Sequence, residues 1–204
     1  MLPYADYNLW DFWKAHDGPL TPNPKNEMLW IASQILGIVD AVALLHNENL
    51  RHGDIKPENI LCFQSITDSS MNLVLADFGL GRAHDRATEL RARTTVTVAV
   101  TMAYRAPESD MRGIVRSRLY DIWCLGCLFL EMAGWILGRL DELQRARRKG
   151  GVEEAFFDVD TADQLILDLD RTHDRQRLFS IKPEVTRVSG VLISYHSSIT
   201  QKIY

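Results

Sequence analysis

Three short runs of residues in the 204-residue chain carry side chains that could do chemistry together. The first is His52-Gly-Asp-Ile-Lys-Pro-Glu-Asn59, the second is Asp77-Phe-Gly79, and the third is Ala106-Pro-Glu108. They supply carboxylates that could accept a proton, a lysine that could neutralise developing negative charge, and oxygen ligands of the kind that Mg²⁺ binds. The three runs therefore predict a polar reaction centre that uses a cation and a metal ion.

The order of the three runs resembles the catalytic loop, the metal-binding triplet and the end of the activation segment of eukaryotic-type protein kinases. The resemblance implies ATP and Mg²⁺ as cofactors and a protein as substrate. It implies that Asp54 accepts or orients the proton of the substrate hydroxyl, and that Lys56 neutralises charge on the γ-phosphate. Asn59 and Asp77 would bind the metal ion. The run Lys56-Pro-Glu-Asn59 resembles the Ser/Thr class, because tyrosine kinases commonly carry arginine in a different loop pattern.

Further positions match family residues that surround the reaction centre. Leu61 matches the residue beneath the adenine ring, so the resemblance implies that it binds ATP together with Lys56 and Asp77. Asp121 resembles the aspartate that accepts hydrogen bonds from the catalytic-loop backbone, and a carboxylate on an apolar helix needs such partners. The resemblance implies a supporting role for six residues: His52, Phe78, Gly79, Thr101, Glu108 and Asp121.

The first half of the chain predicts two helices and two strands around these motifs. A short helix is expected at about Leu9–Ala15, and the breaker-rich stretch from Asp17 to Pro24 predicts a loop. A long helix, with Asn26 as its cap, is predicted to end near His46. Its apolar residues follow one another at spacings of three and four: Met28, Ile31, Ile35, Ile38, Val42 and Leu45. Strands are predicted at Ile60–Phe63 and Leu73–Ala76.

The second half predicts a long loop over residues 80–103 and then an apolar helix at Asp121–Leu137, buried on every side. A basic surface helix is predicted at Arg139–Lys149, with the charges of Arg145–Lys149 facing solvent. An acidic stretch follows over residues 151–171, and after Pro183 the pattern predicts no particular structure.

The expected fold class is α+β: a mainly α-helical kinase C-lobe with short β-strands around the catalytic loop. We expect residues 1–204 to form one partial kinase domain, in which residues 1–137 carry the motifs and residues 138–204 follow by position only. The 51 residues before His52 contain neither a G-x-G-x-x-G loop nor a Val-Ala-x-Lys strand. The start resembles the hinge between kinase lobes, so the N-lobe is expected to be missing.

Composition narrows the function classes further. The formal net charge of −4 gives no reason to expect nucleic acid or a polybasic membrane anchor, and the three cysteines fit a reducing compartment. The longest apolar stretch, Ile122–Leu137, is interrupted by Glu131 and looks too short and too polar to span a bilayer. These features predict an intracellular protein, cytoplasmic or nuclear, and leave its oligomeric state open.

Two other functions compete with a protein kinase. A C-lobe without its nucleotide clamp could be a catalytically inactive interaction module. Kinases of the aminoglycoside or choline type share a His-x-Asp-x-x-x-x-Asn pattern, but they usually lack the Asp-Phe-Gly and Ala-Pro-Glu pair. For Cys124 and Cys127, as for Trp10 and Trp13, core packing is the favoured interpretation over a metal or ligand site.

Overall fold

The computed structural model describes residues 4–16, 18, 24–65, 71–77, 102–110, 117–149, 154–159 and 179–190. Its helices are α1 (Leu9–Ala15), α2 (Pro24–Asn47), α3 (Leu119–Ile136), α4 (Leu140–Arg147) and α5 (residues 183–190). Its strands are β1 (Tyr7–Asn8), β2 (Ile60–Gln64), β3 (Met71–Leu75), β4 (Phe157–Val159) and β5 (Phe179–Ile181). This combination confirms the α+β class.

A three-stranded antiparallel sheet in the order β1-β2-β3 lies next to the predicted catalytic loop. Alternate side chains of β3 are buried, so Met71, Leu73 and Leu75 face the core while Val74 faces outward. Both predicted strands are therefore present, and each differs from its predicted bounds by one or two residues. The two-residue strand β1 has no period that a sequence pattern could reveal.

Helix α2 covers the outer edge of β3 and forms hydrogen bonds with two of its backbone groups. The indole nitrogen of Trp30 donates to the carbonyl of Met71 at 2.6 Å. The amide of Leu73 donates to Oε1 of Gln34 at 2.8 Å. An edge strand with unpaired backbone groups is otherwise open to pairing with other chains. The bonds fix α2 against the sheet, and the predicted apolar residues Ile31, Ile38 and Val42 are buried. The helix begins at Pro24, so Asn26 lies inside it and the predicted cap was wrong.

Helix α3 runs through the core, but one of its faces is open. Cys124, Leu128 and Met132 are almost fully buried, whereas Ile122 is 52% exposed and Gly126 is exposed as well. The prediction of burial on every side was therefore wrong. An almost uniformly apolar sequence does not show which face a helix leaves open.

Helix α4 contradicts the prediction that its basic residues all face solvent. The guanidinium of Arg147 is buried and its Nη1 donates to Oε1 of Glu131 in α3 at 2.8 Å. The hydroxyl of Tyr104 donates to Oε2 of the same carboxylate. Burial raises the pKa of Glu131, while the positive charge of Arg147 acts in the opposite direction. Arg145 and Arg148 are exposed, as predicted for the rest of the run.

The last described part of the chain is a two-stranded antiparallel sheet followed by α5. Strands β4 and β5 pair antiparallel, with Phe157 opposite Ile181. Lys182 is buried and its ammonium group donates to the carbonyl of Arg147 at 2.6 Å, while Val185 and Val188 of α5 pack in the core. The sequence pattern predicted no helix or strand after Pro183, because α5 is short and the core residues on which it packs are distant along the chain. Most of the predicted acidic stretch, residues 160–171, lies outside the described residues.

Two helical segments, Leu29–Asn47 and Leu119–Ile136, are long and apolar enough to cross a membrane by length and composition. The second segment overlaps Ile122–Leu137, which was predicted to be too short and too polar to span a bilayer. By length and composition alone, that prediction was too strict. More than half of this second segment is buried inside the protein, as in the core helix of a soluble domain. Length and composition are therefore only weak indications of a membrane span.

We expect Cys62, Cys124 and Cys127 to resist thiol reagents in the folded protein. All three are buried and free of disulfides, and for Cys124 and Cys127 this is the predicted core packing. Burial and the negative charge of Asp6 raise the pKa of the Cys62 thiol to about 12, and burial also raises the pKa of Cys127. Because the thiolate is the reactive form, titration with Ellman's reagent at pH 8 should detect no rapidly reacting thiol in the native protein. The same titration in guanidinium chloride should detect all three. A rapid reaction of Cys62 in the native protein would contradict this.

Candidate active site

One carboxylate oxygen joins the three residues predicted to be catalytic. Oδ2 of Asp54 lies 2.7 Å from Nζ of Lys56 and accepts a hydrogen bond from Nδ2 of Asn59 at 2.9 Å. Nδ2 of Asn59 also donates to the backbone carbonyl of Asp54 at 2.8 Å. All three side chains are buried, with 8% of each residue exposed. Their positions are therefore fixed by each other, and the cluster contains one acid, one cation and one amide.

The carboxylate of Asp121 holds the backbone that leads into Asp54. Its Oδ2 accepts the backbone amide of His52 at 2.8 Å, and its Oδ1 accepts that of Gly53 at 2.8 Å. Asp121 is fully buried near the start of α3, 69 residues along the chain from His52. The arrangement matches the supporting role that the sequence implied for Asp121. A buried carboxylate needs such donors, because an unpaired charge in the interior is costly.

His46 is the third partner of Asp121, and no sequence motif indicated a role for it. Its Nε2 lies 2.8 Å from Oδ2 of Asp121. Its backbone carbonyl accepts a hydrogen bond from Nη1 of Arg118, just before α3, at 2.6 Å. The end of α2 and the start of α3 are thus joined through one residue. No local pattern could have indicated these contacts, which span more than 70 residues.

His52 links the catalytic loop to the residue before Asp77. Its Nε2 lies 3.0 Å from the carbonyl oxygen of Ala76, and its Nδ1 lies 3.3 Å from the amide nitrogen of Asp54, which donates to it. The amide of Ala76 donates to the backbone carbonyl of Asn59 at 2.9 Å. Both backbone groups of Ala76 are therefore bound to the loop. The predicted metal ligands Asn59 and Asp77 are brought to the same end of the sheet.

Two residues in this region have left-handed backbone conformations. Gly53 has a φ of 79°, and Asp77 has a φ of 62°. Glycine adopts such values without a steric penalty, so glycine suits position 53. For an aspartate the same conformation is uncommon and costs energy, and such residues concentrate at functional sites. The local backbone at Asp77 supports a functional role for that residue.

The donor atoms are suitable for a magnesium ion. Both hydrogen bonds of the Asn59 amide use Nδ2, which leaves its Oδ1 as an oxygen ligand, and Asp77 adds an exposed carboxylate. Hard oxygen ligands of this kind are what Mg²⁺ prefers. Leu61 lies on the outer face of β2, opposite Val74 on β3, and Val74 is 46% exposed. The outer face of the sheet therefore offers apolar surface for a flat ring beside the polar cluster.

Several predicted site residues cannot be placed. Phe78, Gly79 and Thr101 lie outside the described residues. Glu108 lies in a short 3₁₀ turn, Pro107–Asp110, but its side chain is not among those described.

The sequence of the chain is similar to a known protein family and to individual known proteins. The protein kinase domain family model matches residues 13–150, which is more than half of the chain. Cyclin-dependent kinase 14 of Xenopus tropicalis is 33% identical over 132 residues, which cover 65% of this chain and 28% of that protein. Cyclin-dependent kinase 14 of Xenopus laevis has the same identity over the same length, with 27% of that protein covered. The chain thus spans little more than a quarter of the length of these relatives.

Removing the carboxylate of Asp121 should destabilise the fold and loosen the catalytic loop. In Asp121→Ala the buried amides of His52 and Gly53 lose their acceptor, so we expect a loss of about 3–5 kcal/mol in the free energy of unfolding. Asp121→Asn keeps one acceptor oxygen and should lose less. Urea unfolding measures the loss, and amide hydrogen exchange should become faster at His52 and Gly53 in both variants. Unchanged exchange at these two amides would contradict the assignment.

Proposed function

Because the chain belongs to the protein kinase family, we propose that it carries the phosphoryl-transfer centre of a protein serine/threonine kinase. Such an enzyme transfers the γ-phosphoryl group of ATP to a hydroxyl of a protein substrate. The observation that carries the proposal is the contact of one Asp54 oxygen with both Lys56 and Asn59. A carboxylate held by a cation and an amide, on a loop fixed from behind by Asp121, fits the acid–base residue of this reaction.

Asp54 is proposed to orient the substrate hydroxyl and to accept its proton. Its Oδ2 is bound to Lys56 and Asn59, so Oδ1 is the oxygen that we assign to the hydroxyl. The fixed orientation reduces the entropy that is lost when the hydroxyl is aligned with the phosphoryl group. The hydrogen bond from Asn59 holds the carboxylate in that orientation.

Lys56 is proposed to neutralise negative charge at the transferred group. Phosphoryl transfer depends mainly on positioning and on electrostatic stabilisation, so a buried ammonium group beside the acid is an effective arrangement. Bound Mg²⁺ would neutralise the phosphate charge. Oδ1 of Asn59 and the carboxylate of Asp77 are the proposed ligands of the metal ion, and Leu61 is proposed to pack beneath the adenine ring.

The Ser/Thr class, the protein substrate and an intracellular site of action are part of the same proposal. The pattern Lys56-Pro-Glu-Asn59 supports the class, and the two Xenopus relatives described above are named as cyclin-dependent kinases. A second candidate is a catalytically inactive C-lobe interaction module. It would describe residues 1–204 acting on their own, since the residues given before His52 hold no glycine-rich loop and no Val-Ala-x-Lys strand.

The kinase proposal predicts phosphate transfer that depends on Asp54. We expect the purified chain, with several millimolar labelled ATP and a generic basic protein, to incorporate label above the level of Asp54→Asn. The variant should be lower by a factor of about 10²–10⁴, because it cannot accept a proton. Asp141→Asn, which changes an exposed carboxylate on α4, is the matched control and should equal the parent. If parent and Asp54→Asn are indistinguishable, the interaction module is the better description.

We also predict that the isolated chain binds Mg·ATP weakly. In the family, a glycine-rich loop and a strand lysine hold the phosphates from the other side, and this sequence lacks both before His52. The expected dissociation constant is about 1 mM or weaker, which corresponds to about −4 kcal/mol of binding free energy. A calorimetric or thermal-shift titration with Mg·ATP measures it, with Asp77→Asn as the variant that should bind more weakly still. A micromolar dissociation constant would contradict the prediction.

A further inference from the structure

A buried ion pair between α3 and α4 has no role in the site described so far. Nη1 of Arg147, at the end of α4, donates to Oε1 of Glu131 in α3 at 2.8 Å, and both side chains are buried. The hydroxyl of Tyr104 donates to Oε2 of the same carboxylate. One guanidinium and one phenol thus use both oxygens of a carboxylate that is closed off from solvent. An ionised group in the protein interior needs partners of this kind, because its desolvation is costly.

Tyr104 belongs to the segment that contains the third sequence motif. It lies in the 3₁₀ turn Met102–Tyr104, two residues before Ala106-Pro-Glu108 begins. Its backbone carbonyl accepts a hydrogen bond from Sγ of Cys124 in α3 at 3.1 Å. Helix α3 therefore holds this tyrosine both at the backbone and at the side chain. The position of segment 102–110 depends on these two contacts.

The same helix also holds the catalytic loop. Asp121, one turn before Cys124, accepts two backbone amides of that loop. Glu131 lies seven residues after Cys124, which is two turns along and on the same side of the helix. The negative charge of Glu58, in the catalytic loop, contributes to the raised pKa of Glu131, so these two carboxyl groups are near each other. Segment 102–110 and the catalytic loop are thus held next to each other by α3.

We propose that Arg147 is a positioning residue, which through Glu131 and Tyr104 holds segment 102–110 in the place that phosphoryl transfer to a protein requires. The inference rests on the proposed function and extends it to a helix that carries none of the three motifs. Arg147 acts through the carboxylate, and the carboxylate acts through the tyrosine. The role is therefore one of orientation, not of contact with the reacting groups.

Arg147 acts by keeping the carboxylate of Glu131 charged. Burial raises the pKa of Glu131, and the positive charge of the guanidinium opposes that shift. An ionised carboxylate accepts hydrogen bonds at both oxygens, whereas a protonated one carries a hydrogen on one oxygen and becomes a donor there. With the guanidinium on Oε1, Oε2 stays an acceptor for the hydroxyl of Tyr104. The tyrosine therefore has a fixed partner and a fixed orientation.

Packing alone is the competing explanation for Arg147. Its guanidinium carbon lies 5.2 Å from the centre of the Phe156 ring and 6.0 Å from that of the Tyr104 ring. Arginine side chains stabilise proteins through such packing as well as through their charge. The two explanations differ in one respect, because packing against rings does not depend on whether Glu131 is ionised. A measurement that varies the pH distinguishes them.

Thermal unfolding of Arg147→Met at pH 5 and at pH 8 separates charge from packing. Without the guanidinium, the pKa of Glu131 in the folded protein should rise further. An acid whose pKa is raised by folding stabilises the folded state at low pH, and this contribution is lost as the pH rises through the folded pKa. The melting temperature should therefore lie below that of the parent by about 5–15 °C at pH 8. At pH 5 the difference should be less than about half as large.

Glu131→Gln removes the titrating carboxyl group and is the background control. In that background, Arg147→Met should change the melting temperature equally at both pH values. Tyr104, Cys127 and Glu58 are the other titratable groups that act on Glu131 among the described residues. Burial raises the pKa of Tyr104 and of Cys127, so both stay neutral from pH 5 to pH 8. The pH dependence of Arg147→Met should persist when Glu58→Gln is added.

Transfer of labelled phosphate to the basic protein connects the contact to the reaction. Tyr104→Phe removes one oxygen and keeps the ring, so it gives the result if Arg147→Met does not fold. Both variants should transfer label about 10–100-fold more slowly, because small displacements near a reacting group have effects of this size. Their affinity for Mg·ATP should equal that of the parent, since Asn59 and the residue before Asp77 are held by other contacts. Arg147→Lys keeps the charge and should recover most of the lost rate.

Arg145→Met is the matched control, because it removes an exposed arginine from the same helix, and it should equal the parent in every measurement. An equal loss of melting temperature for Arg147→Met at both pH values would overturn the inference, as would unchanged transfer in Tyr104→Phe. The pH result does not depend on activity. A parent that transfers no label above Asp54→Asn refutes the proposed function and with it the role in the reaction. A pH-dependent loss would still establish that Arg147 keeps Glu131 charged.

Discussion

The structure depends on one buried carboxylate that serves two distant parts of the chain. Asp121, near the start of α3, accepts the backbone amides of His52 and Gly53 and also contacts the side chain of His46. The desolvated charge is acceptable because it has these three partners. In turn, the loop that carries Asp54 is tied directly to the most buried helix of the domain. The orientation of the acid is therefore a consequence of how the core packs.

The same principle of satisfied polar groups connects the remaining parts of the site. Ala76 has both backbone groups bound to the catalytic loop, so the strand that leads to Asp77 cannot move independently of Asn59. On the other side of β3, Trp30 and Gln34 form hydrogen bonds with the carbonyl of Met71 and the amide of Leu73. The predicted acid, cation and metal ligands thus lie on segments joined by hydrogen bonds rather than on separate loops. Preorganisation of this kind is what electrostatic catalysis requires.

The family, the long helix and the strands beside the motifs could be predicted from the sequence, because each is a local pattern of residue types. The role of Asp121 could be predicted as well, since a carboxylate at the start of an apolar helix needs hydrogen-bond donors. The pairing of Glu131 with Arg147 could not be predicted, because in the sequence Glu131 interrupts an apolar run and Arg147 belongs to a basic run. The contact of His46 with Asp121 and the core position of Lys182 are likewise decided by tertiary packing across many residues. Local patterns carry no information on such pairs.

The proposed metal site is tested most directly by mapping where a divalent metal ion binds together with its nucleotide. Mn²⁺·ATP, added at a small fraction of the protein concentration, broadens the NMR signals of nuclei near the metal ion, even when binding is weak. We expect selective broadening of the amide signals of Asp54, Asn59 and Asp77, reversal by excess Mg²⁺, and loss of the effect in Asp77→Ala. Broadening centred elsewhere in the domain, or broadening that persists in Asp77→Ala, would show that the metal ion does not bind at Asn59 and Asp77.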